Sequence, residues 1–273
     1  MQIASRQPLW NDWRKGTVVT VEMTAATGLY IRFVSLPAND GPIVVRWGDG
    51  TRHVCANPSE MGEFHWYDHT YAQSGRYRIT ITGIGTLGFV INAKRTSESY
   101  FASVVSVADY TGQISTALKY SFDRAVNMEK LTLPNCTRFE AGSVERCTKL
   151  SEVVVNDCDY IGSGAFQNDT SLETFTAGRL GLAELSPWSG CTAMREMRFA
   201  DVKELGNRAF GDMPNLTDIW IEGRTVAQIM QTAPTGNIIS HDGTKFPWAV
   251  SNRGSVRFHG SDGIVLGDGT IIG

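Results

Sequence analysis

A repeat of 22 residues is the feature of this sequence that most constrains its fold. The stretch IGSGAFQNDTSLETF begins at Ile161, and LGNRAFGDMPNLTDI begins 44 residues later at Leu205, with the Gly, Ala-Phe and Leu positions aligned. Stacked at this period, the middle of the chain forms three apolar columns with an L-x-x-L-x-L frame and a fourth column that is mainly aromatic. The columns are Met128, Leu150, Leu172, Met194 and Leu216; Leu131, Val153, Phe175, Met197 and Ile219; Leu133, Val155, Ala177, Phe199 and Ile221; and Val144, Phe166, Trp188 and Phe210.

Self-similarity at a fixed period is typical of a solenoid. Each unit contains a short strand with alternating faces, such as SEVVV or TDIWI. A single coil cannot cover its own inward residues, so neighbouring coils must stack and bury the columns as continuous ladders between parallel strands. A weaker unit over residues 104–125 places Phe122 in the aromatic column and is interpreted as a degenerate first coil.

Four of the five cysteines follow the same period. Cys136 and Cys158 share one column, and Cys147 and Cys191 share another, whereas Cys55 stands apart. Buried free cysteine packs as a small hydrophobe, so we expect reduced ladder residues rather than disulfides between coils. A zinc site is disfavoured because these columns contain neither a C-x-x-C pair nor a histidine.

The units TKLSEVVVNDCDYIGSGAFQND and TAMREMRFADVKELGNRAFGDM resemble the leucine-rich repeats of bacterial surface antigens of the BspA type. In that family a short strand is followed by an IG-x-x-AF turn and a C-x-x-L start of the next unit. The resemblance covers roughly residues 104–223 and implies adhesion and contact with host surfaces. The unit TSLETFTAGRLGLAELSPWSGC departs from it, because Pro187-Trp188 replaces Ala-Phe and the Ile-Gly step is absent, which predicts an altered convex side.

The N-terminal part of the chain follows a different pattern. TVVTVEM, LYIRFV, PIVVRW and RYRITITG alternate at period two between turn residues, which predicts an antiparallel β-sandwich. The motifs WGDG and HTYAQSGRY resemble those of the polycystic-kidney-disease-type (PKD) domain, an immunoglobulin-like sandwich. His69, Tyr71, Gly75 and Tyr77 match that family, whereas the first motif is shortened to residues 47–50. The resemblance implies a spacer or interaction module.

A metal site is the alternative interpretation of HWYDH within this module. His65, Asp68 and His69 are metal-binding residue types, and His53 lies upstream. On a strand, however, His65 and His69 share one face while Asp68 lies on the other, which is poor geometry for one ion. We therefore expect a structural His69 and no metal.

The period stops after Gly223, and the remaining segments indicate a C-terminal cap. TVAQIMQ predicts a short helix, and GIVLGDGTIIG predicts a hairpin that turns at residues 267–269. A solenoid needs such a cap because its last ladder is otherwise exposed. The predicted fold is therefore multi-domain, with an all-β immunoglobulin-like sandwich at residues 1–95, a leucine-rich-repeat solenoid of parallel strands at 96–223 and a cap at 224–273.

The outward residues of the coil strands form the candidate binding face. One row contains Lys130, Glu152, Thr174, Glu196 and Asp218, and the other contains Thr132, Val154, Thr176, Arg198 and Trp220. Trp and Arg are enriched in binding hot spots. An open alternative is that the cap or the N-terminal module covers Trp220. The residues predicted to bind a ligand are Glu152, Val154, Thr176, Glu196, Arg198, Asp218 and Trp220.

Composition narrows the functional classes. The chain has 25 Lys+Arg against 28 Asp+Glu, a formal net charge of -3, which gives no reason to expect nucleic-acid binding. No apolar run approaches the ~18 residues that span a bilayer, and the start MQIASRQPLWNDWRKG has no apolar core of a signal peptide. We expect an extracellular or cell-surface location, with a trimmed secreted form, another export route and the absence of export all left open.

Three hypotheses of function remain at this point. The first is a non-catalytic adhesion or recognition protein that binds a protein or glycan on a host or neighbouring cell through the solenoid, without a cofactor. The second is a structural component of an extracellular or viral particle. The third is an enzyme that uses the His65 region, although no known catalytic motif is present.

Overall fold

The computed structural model describes residues 16–24, 30–35, 42–56, 65–84, 86–87, 102–230, 239–240, 256–266 and 270–272. These residues form twenty strands and one short helix. The strands are β1 (Thr17–Met23), β2 (Tyr30–Ser35), β3 (Ile43–Arg46), β4 (Arg52–Cys55), β5 (His65–Thr70), β6 (Gly75–Thr82), β7 (Thr86–Leu87), β8 (Val104–Asp109), β9 (Thr116–Ala117), β10 (Lys130–Thr132), β11 (Arg138–Phe139), β12 (Glu152–Val154), β13 (Cys158–Ile161), β14 (Thr174–Ala183), β15 (Glu196–Leu205), β16 (Asp218–Ile221), β17 (Ile239–Ser240), β18 (Arg257–His259), β19 (Ile264–Leu266) and β20 (Ile271–Ile272), and the helix is α1 (Val226–Met230).

A β-solenoid of about five turns occupies residues 106–221 and confirms the predicted solenoid. Each coil has a first strand that carries the apolar frame and a second strand that follows a corner. The parallel register joins residues 22 positions apart, for example Leu131 with Val153 and Phe175 with Met197. The second strands stack in the same way through β9, β11 and β13.

The four predicted columns form the interior of the solenoid. Every member is buried, and most have no exposed surface at all. Trp188 stacks between Phe166 and Phe210, with ring centroids 6.4 and 6.0 Å away, so it takes the place of the usual phenylalanine. Because each coil supplies one side chain to this column, no coil can bury that side chain without its neighbours.

The turns of the coils contain residues with positive φ, which the sequence did not predict. Positive φ recurs every 22 residues at two positions, and only three of these ten residues are glycine. The first set is Tyr120, Gly142, Gly164, Ser186 and Arg208, and the second is Arg124, Arg146, Asn168, Gly190 and Asp212. The unit with Pro187-Trp188 keeps both positions, and Phe166 N donates to Pro187 O at 2.8 Å as Val144 N does to Ala165 O at 2.7 Å. The prediction that this unit has an altered convex side is therefore wrong for its backbone.

The N-terminal region is all-β, and its larger sheet is continuous with the solenoid. β1 pairs antiparallel with β6 and with β8, and β8 in turn pairs parallel with β10. The resulting first sheet has the order β12-β10-β8-β1-β6-β3-β4. β8 lies in the predicted degenerate first coil, so this one strand belongs to both parts of the molecule.

The remaining strands form a second sheet and a small one. The second sheet has eleven strands in the order β20-β19-β18-β16-β15-β14-β13-β11-β9-β7, with β17 paired to β15, and the small sheet pairs β2 with β5. At the C-terminal end β18 continues the parallel ladder next to β16, and β19 and β20 then add antiparallel strands. The expected turn at residues 267–269 lies outside the described residues.

All five cysteines are free thiols. Cys136, Cys147, Cys158 and Cys191 are buried in the columns that the sequence assigns to them, and Cys55 is half-buried. Burial raises the pKa of Cys136 and of Cys158 to about 12, so both remain protonated at neutral pH.

Candidate functional site

The seven residues predicted to bind a ligand all lie on the outward side of the first strands. Their neighbours along each strand, such as Val153 and Met197, point inward and are buried. Glu152 and Val154 are paired with Lys130 and Thr132 of β10. The other five residues, Thr176, Glu196, Arg198, Asp218 and Trp220, lie on β14, β15 and β16.

A break in the strand pairing divides this face in two. β12 ends the first sheet, and it has no strand pairing with β14, which belongs to the second sheet. The second strands remain paired across the same two coils, with Cys158 opposite Leu180. Strand pairing between these two coils is therefore missing only along their first strands, and Glu152 and Val154 belong to a different sheet from the other five predicted residues.

The local cause is a change at the corner of the coil. β12 and β13 are separate strands with a bend between them, whereas β14 and β15 each run through the corner as one strand of ten residues. At this corner Gly178 N donates to Asn156 O at 2.8 Å, and Arg179 N donates to Asp157 Oδ1 at 2.8 Å. A Cβ at Gly178 would lie 2.3 Å from that Asp157 oxygen, so any other residue here would displace the carboxylate that accepts the hydrogen bond from Arg179 N.

A groove of about 380 Å³ lies at this position on the outward face. Asn156 and Asp157 line one side, and Arg198 and Glu222 line the other. The small, exposed Thr176 is part of its lining. Because Thr176 is followed in the same row by the larger Arg198, the side chains of the row change from small to large across the groove.

Arg198, Trp220 and His259 form a stack along the row on three adjacent strands. The guanidinium carbon of Arg198 lies 4.4 Å from the centroid of the Trp220 ring, and the His259 ring lies 3.7 Å from it on a nearly parallel plane. The strand register places these three residues side by side. Trp220 is half-buried, and His259 of the cap region covers part of it, which answers the question left open by the sequence.

Ion pairs satisfy most of the charges around this stack. Arg198 binds Glu196, and its guanidinium lies 3.8 Å from Glu222. Asp218 accepts hydrogen bonds from Arg257 and His259, each at 2.7 Å. Partial burial opposes ionisation of Asp218, but the hydrogen bonds from Arg257, His259 and Thr217 prevail and lower its pKa to about 2. The surface therefore presents fixed dipoles and charges of both signs rather than one uniform sign.

Sequence reasoning missed three residues of this site, Glu222, Arg257 and His259. Glu222 directly follows Ile221, the last residue of the third apolar column. Its position at the corner of the coil could therefore have been derived from the period. Arg257 and His259 lie beyond a segment without the period, and they join the row only because β18 pairs with β16. The signal that could have found them is the alternation in VRFHG, with Phe258 in the place of the inward Ile219.

A second polar cluster lies in the N-terminal module. His69 Nε2 lies 2.7 Å from Asp49 Oδ2, and the His69 ring stacks on Trp47 with centroids 4.7 Å apart. Partial desolvation opposes ionisation of Asp49, but hydrogen bonds from Thr51 and His69 lower its pKa to about 2. The Thr51 hydroxyl donates to Asp49 rather than to the His69 imidazole. The pair of Asp49 and His69 therefore holds a turn in place and does not activate the Thr51 hydroxyl.

The part of the chain that the structure describes contains no group of three or more His, Cys, Asp or Glu residues arranged to hold a metal ion. His69, one member of the alternative metal site, is engaged with Asp49. The side chain of His65 lies outside what the structure describes. None of the described helices is long and apolar enough to cross a bilayer.

Comparison with known protein families supports the repeat assignment. Residues 91–185 match the BspA type Leucine rich repeat region in six copies. The match extends past the end of β14, and β15 and β16 continue the same register beyond it. No curated protein and no solved structure matches the chain. Over residues 91–185 the chain is therefore similar to the leucine-rich repeats of the BspA type.

Proposed function

We propose that this protein is a non-catalytic recognition protein that binds a protein partner through the outward face of its solenoid. The observation that carries the proposal is the groove beside Thr176, which is bordered by the stack of Arg198, Trp220 and His259. Arg and Trp supply large, well-anchored contact area, and such anchors provide most of the affinity in protein interfaces. The match to BspA-type repeats supports the same role.

The geometry favours a protein over a glycan as the partner. Sugar rings bind best to an open aromatic face, but both faces of Trp220 are engaged, one by Arg198 and the other by His259. The groove instead offers the hydroxyl of Thr176 and the amide of Asn156 beside ion-paired residues. Mixed polar groups around a partly buried aromatic residue are typical of the rim and core of a protein interface.

The proposal includes a surface location and a PKD-type N-terminal module. Support for the module comes from its motif residues, which contact each other. The Tyr71 hydroxyl donates to Trp47 O at 2.8 Å, and the Tyr71 and Tyr77 rings stack with centroids 3.9 Å apart. Since β8 joins this module to the solenoid, we propose that it acts as a rigid support for the binding face.

A binding screen with a blocking variant tests this function. The intact chain would be presented to a panel of purified extracellular proteins and to a glycan array, together with Thr176→Arg, which fills the groove. Thr192→Arg is the matched control because Thr192 is exposed and lies outside both outward rows. We expect a protein ligand whose binding falls at least tenfold with Thr176→Arg and is unchanged with Thr192→Arg. Equal binding by both variants, or binding to glycans alone, would contradict the proposal.

Assembly into a particle is a second candidate, favoured by one observation at the end of the second sheet. Ile271 and Ile272 of β20 are 61% and 51% exposed, and β20 is the outermost strand of that sheet within the described residues. Exposed edge strands are templates for pairing with another chain. Light scattering would test this candidate, because assembly predicts a concentration-dependent mass for the wild type that Ile272→Lys abolishes, whereas a monomer at all concentrations rejects it.

A further inference from the structure

Asp169 is a carboxylic acid enclosed in the interior of the solenoid. It belongs to the column that contains Cys147 and Cys191, one coil before and one coil after it. Its side chain has no exposed surface. An acidic residue is rarely fully buried without a charged partner, because the ionised form loses its hydration. The two thiols on either side cannot replace that hydration.

Only one of the two carboxyl oxygens of Asp169 is hydrogen-bonded. Oδ1 accepts a hydrogen bond from Cys147 N at 2.8 Å, which ties two coils together. Oδ2 is buried and has no hydrogen-bond partner among the described residues. The thiol protons do not serve it, because Cys147 Sγ donates to Phe122 O at 3.1 Å and Cys191 Sγ donates to Phe166 O at 3.0 Å.

The charged groups nearby make ionisation of Asp169 still less favourable. Glu145 and Asp123, both buried carboxylates, face it in addition to the two thiols. Arg146 is the cation of this cluster, and it pairs with Asp123 at 3.0 Å and with Glu145 at 3.2 Å. Its charge is therefore shared between two carboxylates, and a third ionised carboxylate would add to the negative charge that already exceeds the single positive charge.

We propose that Asp169 is a proton-operated latch between coils of the solenoid. With its proton bound, the neutral carboxyl packs in the column and joins its coil to that of Cys147. When the proton is lost, an unpaired carboxylate remains in an apolar column, and the coils on both sides loosen and expose the thiols of Cys147 and Cys191. The solenoid is thus held more firmly in mild acid than at neutral pH, and it weakens as the pH rises.

The direction of the titration agrees with this geometry. Burial, followed by the charges of Glu145 and Asp123, raises the pKa of Asp169 well above its ordinary value, against the effect of the hydrogen bond from Cys147. In the unfolded chain Asp169 returns to a pKa of ~3.9. The native state therefore binds one more proton than the unfolded state between these two values, and stability falls as the pH rises through that range.

Urea unfolding of the full chain between pH 5 and pH 8 tests the latch. We expect the unfolding equilibrium constant of the wild type to rise with pH, approaching about tenfold per pH unit where one proton is released. Asp169→Asn removes the titrating group and should remove this part of the slope. Asp159→Asn is the control, because Asp159 is exposed and paired only on the surface with Arg179. Equal slopes for wild type and Asp169→Asn would overturn the proposal.

Two further measurements distinguish a latch from a simple defect of folding. Unfolding of the wild type in weak buffer should release a net proton within the range from pH 5 to pH 8, a test that needs no variant; proton uptake or no release over that whole range would overturn the proposal. Labelling with 4,4′-dithiodipyridine, which reacts with thiols even in acid, should modify Cys147 and Cys191 faster in the wild type than in Asp169→Asn at pH 8, and at similar rates at pH 5. A ratio that does not change with pH would contradict the latch.

Discussion

The rings of Trp220 and His259 stack at a centroid distance of 3.7 Å across the junction between the last coil and β18. Trp220 belongs to the repeat, whereas His259 lies beyond it and is buried against Asp218. The same contact therefore closes the solenoid and shapes the end of its outward face. The predicted binding surface does not end in an open aromatic ring but in a ring clamped between Arg198 and the cap region.

Removal of the His259 ring should destabilise the end of the solenoid. His259→Ala loses a stacked aromatic pair, which contributes ~0.5–1.5 kcal/mol, and it also loses a hydrogen bond to Asp218. We expect the free energy of unfolding to fall by about 1–2 kcal/mol in urea titrations. Ile271→Ala serves as the control, because Ile271 is exposed and its truncation should change stability by less than ~0.5 kcal/mol. Similar stabilities of the two variants would show that the stack contributes nothing.

Stability should also fall in strong acid through Asp218. Its pKa is lowered to about 2 in the folded chain, against ~3.9 in the unfolded chain, so the unfolded state binds the proton first. The stabilisation of the folded state by ionised Asp218 is complete above pH ~4 and is lost as the pH falls toward 2. We expect it to be about 1 kcal/mol after allowance for solvent screening. Asp218→Asn should therefore differ from the wild type by this amount at pH 6 and by nearly nothing at pH 2; a constant difference would contradict the assignment.

Glycine should be tolerated better than the native residue at one left-handed turn position. Ser186 has φ 47°, while the equivalent residues one and two coils earlier, Gly164 and Gly142, are glycines. A left-handed conformation costs a non-glycine residue ~1–2 kcal/mol, so Ser186→Gly should raise the free energy of unfolding by several tenths of a kcal/mol despite the greater entropy of the unfolded chain. Asn207→Gly, at an exposed position without positive φ, should lower it. Thermal melts of the two variants test this prediction. If both substitutions stabilise the protein, or neither does, the strain argument is contradicted.

The shared strand β8 predicts that the N-terminal module and the solenoid unfold together. Val107 is fully buried and is paired with Val19 on one side and with Leu131 on the other. Val107→Ala should cost about 2 kcal/mol and lower the amide-exchange protection of both β1 and β10. Loss of protection in β10 alone, with β1 unchanged, would mean that the two parts are energetically separate.

The repeat made the interior of the solenoid predictable to the residue. Periodicity identifies which side chains must face inward, and for this reason Met197, Phe199 and Trp188 are buried as expected. It also placed Arg198 and Trp220 on the outward face. These predictions depend on one local rule that every coil repeats, so no knowledge of distant contacts was needed.

The parts that could not be predicted depend on contacts between segments distant in sequence. The antiparallel pairing of Thr17 with Asp109 joins residues far apart that have no common pattern. The stack of His259 on Trp220 depends on where the chain returns after the last coil. The left-handed turns were hidden because Arg124 and Arg146 are not residues that usually mark positive φ.

Hydrogen–deuterium exchange of the intact protein, with and without its protein ligand, tests the central claim most directly. The recognition surface predicts slower exchange on binding at residues 174–178, 196–200 and 218–222, which carry the groove and the stack of Arg198 on Trp220. Exchange in β3, β4 and β6 should remain unchanged. Protection confined to those three N-terminal strands, with none along the first strands of the coils, would contradict the claim and place recognition in the N-terminal module.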